Sequence, residues 1–241
     1  MPNVLFFRPN SDLALQHGSF WLGLGIPEAL KRGFDVIDMV DEACTFDTLE
    51  EIMTSQKIDA LILLGHGNSI TFTGSKQITV FKACHNDGLM SGTISHFLSC
   101  SVGQTLLPSI IEKGGIWTIG YNIDFQFMIN PDFAVEEDPV AEPFRDVTVA
   151  IIKAILDGKK LKDVWDAGIA KCDEWIAKLY NRPEIIWAEV VGALRHDRDG
   201  MIALGDQEAY VLPPRKVALN VPQLAGLLFI GYLLVTKGKP F

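Results

Sequence analysis

Through the first 120 residues, short apolar runs ended by glycine or polar residues alternate with stretches of helical pattern. Residues 3–8 (NVLFFR) read as a first strand. Residues 21–32 carry a helical pattern that stops at Gly33, a usual terminator. Residues 34–40 (FDVIDMV) alternate apolar and polar positions, as a half-buried strand does. A helix is predicted over 46–56, with Thr45 or Asp47 at its start and Glu50 and Glu51 in its early turns. Residues 58–64 (IDALILL) are apolar almost throughout and break at Gly65-His66-Gly67, which suits a central parallel strand buried on both faces.

Residues 70–74 and 77–81 predict a small hairpin around Gly74 and Ser75. TISHFL at 93–98 is the next strand and closes on Ser99-Cys100. A helix over 103–113 ends at Gly114-Gly115, and IWTI at 116–119 is a further strand. Residues 130–143 read as a loop carrying Glu136, Glu137 and Asp138. Helices follow over 144–156, 161–180 and 184–195. Asp199-Gly200 signals a turn before a strand at 201–204, and 209–212 reads as a last short strand. Alternating strands and helices predict an α/β fold, a mainly parallel central sheet with helices on both faces. No internal repeat interrupts the pattern, and no boundary stands out before about Pro213. The expected organisation is one domain over 1–213 and an apolar C-terminal segment over 214–241.

Hydrophobic residues make up 48% of the chain and charged residues 21%, a balance that fits a packed core and excludes intrinsic disorder. The net charge of −9, with no basic run longer than two residues, argues against nucleic-acid binding through phosphate contacts. Cys44, Cys84, Cys100 and Cys172 form neither a CxxC nor a zinc-ligand spacing, so no metal site is expected. The opening MPNVLFFRPNSD lacks the basic start and long apolar run of a secretory signal, and a cytoplasmic catalytic domain with free thiols is expected. Residues 217–235 (VALNVPQLAGLLFIGYLLV) carry no charge and are flanked by Arg215, Lys216, Lys237 and Lys239. A bilayer-spanning helix needs roughly 20 apolar residues. Three readings stay open for this run: a membrane anchor, a helix packed on the domain, or a docking surface for a partner.

Functional groups in open α/β sheets collect at the carboxyl ends of the strands. Two such ends stand out: LILLGHGNS places His66, and ISHFLSCSVG places Cys100. If their strands are neighbours, about 4.8 Å apart, an imidazole and a thiol share one rim. The thiolate is the nucleophile, and an imidazole can take the thiol proton and later protonate a leaving amine. A helix beginning near Gly103 would favour the thiolate through its N-terminal dipole, and Gly103 would allow a tight turn behind the nucleophile. The backbone N–H groups of Gly67 and Cys100 are candidate oxyanion donors. Each residue also has a plainer reading, Cys100 as a small core hydrophobe and His66 as a turn residue. His85 beside Cys84, His96 within a strand, His196 in a polar turn and His17 are weaker candidates.

The segments 61–67 and 94–103 resemble the caspase-like superfamily of cysteine peptidases (clan CD), which includes caspases, gingipains, separases and CHAT-type proteases. The 34 residues from His66 to Cys100 are similar to the spacing of the gingipain and CHAT-type branch, shorter than the caspase spacing of about 50. GGIWTIGYNIDF (114–125) and MIALGDQEAYVL (201–212) resemble later segments of that branch, with Gln207 where proline is usual. The caspase QACxG signature is absent. The resemblance covers about 1–213 and implies a caspase-like three-layer sandwich. It implies a cysteine endopeptidase working through a His66–Cys100 dyad and a thioester acyl-enzyme. No third catalytic residue, metal or organic cofactor is required, and the partner is a protein or peptide substrate. Asn68, Ser99 and Asp124 are candidates for shaping the substrate pocket; a carboxylate at Asp124 would select Arg or Lys. A catalytically silent caspase-like scaffold and a non-proteolytic cysteine hydrolase are the rival readings.

Overall fold

The structure is a computed structural model that describes residues 1–211. The apolar run at 217–235 lies outside the described residues. The chain runs β1 (Asn3–Arg8), α1 (Leu13–Gly23), α2 (Gly25–Lys31), β2 (Asp35–Val40), α3 (Phe46–Ser55) and β3 (Ala60–Leu64). A hairpin of β4 (Thr71–Thr73) and β5 (Thr79–Lys82) precedes β6 (Ile94–Leu98), α4 (Leu106–Glu112) and β7 (Trp117–Tyr121). Three long helices, α5 (Glu142–Leu156), α6 (Leu161–Leu179) and α7 (Ile185–Gly200), lead into β8 (Met201–Gly205).

The main sheet has the order β2-β1-β3-β6-β7-β8, with β8 antiparallel to β7 and every other pairing parallel. Every residue of β3, β6 and β7 is buried, which is why those strands read as continuous apolar runs. Alternate side chains serve two cores. Phe6, Ile62, Leu64, Leu98 and Ile119 pack under α1, α5 and α6. Leu5, Phe7, Leu61, Leu63 and Phe97 pack with the hairpin's Phe72 and Phe81, Leu49 of α3 and Ile110 of α4. The result is the expected α/β sandwich, with helices on both faces.

Four local expectations are corrected. The helical pattern at 21–32 belongs to two helices, and α1 starts at Leu13, where Asp12 caps it by accepting the Leu15 N–H (2.9 Å). The helix expected from Gly103 begins at Leu106, after a 3-10 turn at Val102–Gln104. Asp199-Gly200 is no turn: α7 runs through Gly200 directly into β8. Gly200 answers a close approach instead, since a Cβ there would sit 2.1 Å from Ile123 Cγ1. Residues 209–211 form no strand; Ala209 O accepts the Trp117 indole N–H (3.1 Å).

Candidate active site

β3 and β6 are paired in parallel with Ala60 opposite Ile94, Ile62 opposite His96 and Leu64 opposite Leu98. Side chains two residues apart share a sheet face. Two residues beyond Leu64 stands His66, and two beyond Leu98 stands Cys100. The Gly65 N–H donates to Leu98 O (3.3 Å), carrying the pairing one step past the strands. The two segments then lie against each other: a Cβ on Gly67 would fall 2.3 Å from Ser99 Oγ and 2.8 Å from Cys100 O. Only glycine allows that approach. His66, Ser99 and Cys100 line one cavity of about 210 Å3.

His66 Nε2–H donates to Asp12 Oδ2 (2.7 Å). A carboxylate only accepts, so a neutral ring held this way carries its proton on Nε2 and offers a free lone pair on Nδ1. Partial burial raises the Asp12 pKa, but the His66 and Leu15 hydrogen bonds and the imidazole's charge bring it below the usual carboxylate value. Asp12 was not foreseen. Its signal was local, an Asp before the apolar run LALQ at a helix start, and gave no hint of a partner at His66.

Cys100 is half-buried, and its Sγ–H points to Phe125 O (3.8 Å). Burial pushes the thiol pKa up; the Phe125 carbonyl contact opposes this, and Asp124 and Asp197 add to the rise. The side chain therefore rests as the thiol. The expected help from a helix dipole is absent, because α4 starts six residues after Cys100 and has no capping side chain. Among the described residues no hydrogen bond joins Cys100 to His66, so direct proton transfer requires the two side chains to approach each other.

The sharp turn behind Cys100 is made by Ser101, whose φ of 55° is left-handed. Its N–H donates to Ile123 O (2.7 Å) and its hydroxyl to Asp124 Oδ1 (2.6 Å). Gly103, expected to make that turn, instead gives room to the Tyr121 carbonyl, 2.8 Å from where its Cβ would lie. The N–H groups of Gly67 and Cys100 donate to no acceptor among the described residues.

The pocket candidates divide. Ser99 is buried, lines the cavity and leaves its hydroxyl unpartnered. Asn68 is exposed and caps its own turn, accepting the Ile70 and Thr71 N–H groups (both 2.9 Å). Asp124 is exposed, turned toward Ser101 and outside the lining; Phe125 and Phe127 face the cavity from that loop. Among the other histidines, His17 lies buried between Leu13 O and Asp138. His196 Nε2–H donates to Asp124 O (3.0 Å). Neither lines the cavity, nor does His85 or His96.

No protein-family model and no curated protein matches the sequence. Solved structures do. The chain is similar to the Arg-specific cysteine proteinase gingipain R (RgpB), with a TM-score of 0.57 at 13% identity over 88% of this chain. It is similar also to the complex of the pro- and mature domains of RgpB from Porphyromonas gingivalis, with a TM-score of 0.56 at 13% identity. In both cases it spans about half, 48%, of the matched chain. In fold the chain is caspase-like, sharing the architecture of the cysteine proteinase gingipain R.

Proposed function

We propose that the protein is a cysteine endopeptidase with Cys100 as nucleophile and His66 as general base and acid. The observation that carries this reading is the shared cavity. Neighbouring parallel strands end in a thiol and an imidazole, and the imidazole is oriented from behind by Asp12. His66 Nδ1 takes the Cys100 proton as Sγ attacks the scissile carbonyl carbon. The tetrahedral oxyanion accepts hydrogen bonds from the Gly67 and Cys100 N–H groups. The proton passes to the leaving amine, the C–N bond breaks, and water hydrolyses the thioester. The partner is a protein or peptide, in keeping with the protease architecture.

A peptidyl acyloxymethyl ketone labels the nucleophile of such an enzyme. Mass spectrometry should locate the adduct on Cys100, and Cys100→Ala should abolish it. His66→Ala should slow labelling about 10²–10⁴-fold. An adduct that persists in Cys100→Ala would place the nucleophile elsewhere.

A further inference from the structure

We propose that the cavity beside Cys100 receives the side chain preceding the scissile bond and is built for an apolar one, of the class of Leu, Met or Phe. The proposal rests on the peptidase reading above and names its substrate class.

The walls decide the chemistry. Helix α1 contributes Leu15, Gly18 and Trp21, the end of β3 Leu64, and the loop after β7 Phe125 and Phe127. Trp21 and Phe127 meet edge to face at 5.1 Å, and Phe125 packs on Tyr121 at 4.8 Å, so the aromatic wall is braced from behind. No Asp, Glu, Lys or Arg side chain lines the cavity; the polar side chains in its lining are His66, Ser99 and Cys100, and Trp21 adds a neutral indole N–H. A guanidinium, ammonium or carboxylate entering it would lose its hydration without gaining an ionic partner.

Nearby carboxylates do not change this. Asp12 is engaged by His66 and by the start of α1. Asp124 is held outside by Ser101. Asp197, on α7, is buried outside the lining, and its Oδ1 accepts the Gln126 N–H (2.9 Å). Burial pushes its carboxyl well above the usual range, which disfavours its charged form. Size agrees with the assignment. An apolar cavity of about 150 Å3 holds a benzene ring, and this one is about 210 Å3 and open to the reacting groups.

The test uses the full chain and six peptidyl acyloxymethyl ketones that differ only in the residue before the electrophile: Leu, Met, Phe, Arg, Lys and Asp. Second-order rates of Cys100 labelling should be roughly 10- to 100-fold higher for the apolar three. A second arm uses Ala14→Glu, which adds a carboxylate at the lining in the first turn of α1, where the helix tolerates it. It should raise the Arg-to-Leu rate ratio at least several-fold. Equal or faster labelling by Arg, Lys or Asp overturns the apolar assignment while leaving Cys100 a peptidase nucleophile. An unchanged ratio in Ala14→Glu overturns the placement of the side chain in this cavity. Failure of all six reagents on a folded chain whose Cys100 still reacts with iodoacetamide overturns the peptidase reading, and this one with it.

Discussion

One carboxylate oxygen of Asp12 accepts the Leu15 N–H and the other accepts the His66 imidazole N–H, so one side chain starts a helix and orients an imidazole. Asn caps a helix about as well as Asp, which separates the two tasks. Asp12→Asn should leave unfolding free energy within a few tenths of a kcal/mol. The same change should lower kcat roughly a hundredfold, the scale of a small misplacement of a reacting group, with KM little changed. Equal kcat in the two proteins would reduce Asp12 to a cap. Single residues were legible in the sequence where a local rule marked them. His66 and Cys100 follow apolar runs that stop abruptly, and strand ends are where such groups gather. Asp12 was not legible, because its partner lies 54 residues away. The position of Asp124 outside the cavity lining was not legible, because its direction is set by the Ser101 hydroxyl and nothing local in the sequence forecasts a left-handed residue there.

Among the elements, β6 carries an unusual burden. His96 is fully buried between Ile62 and Ile119, and neither ring nitrogen has a partner. Burial pushes its pKa down to about 4, against about 6.5 in an unfolded chain. As pH falls below that value the unfolded state takes up a proton that the folded state refuses until about 4. Stability is therefore present above pH 6.5 and drains away toward 4, by roughly 3 kcal/mol. His96→Leu should flatten that window. Urea midpoints from pH 7.5 to 4.5 would show it, and a variant losing stability as steeply as the parent would refute the assignment. The strands and the hairpin were readable because their burial pattern is their sequence pattern. Helix α1 was not, since it presents His17, Gly18 and Ser19 to the interior along with Leu15, Trp21 and Leu22, and so shows no clean apolar stripe.

At the scale of the whole molecule, the fold was legible from the alternation of strands and helices. The partnership of β7 with an antiparallel β8 was not, because 80 residues separate Tyr121 from Met201. Among the described residues no helix is long and apolar enough to cross a membrane. Of the three readings of residues 217–235, the membrane anchor rests on sequence alone and has a direct check. The full chain should sediment with membranes, and a form ending at Lys216 should stay in the supernatant; a full chain that stays in the supernatant removes the anchor. Cys100 and His66 both stand before residue 101, yet the aromatic wall of the cavity they line is fastened by α7, about a hundred residues later in sequence. Asp197 holds the Gln126 N–H, Gly200 O accepts the Asn122 N–H (3.0 Å), and Gly200 leaves space for Ile123. The wall beside the thiol and imidazole is therefore fixed only in a chain folded through α7, and a form ending before α7 should lose the cavity while keeping the strands that carry His66 and Cys100.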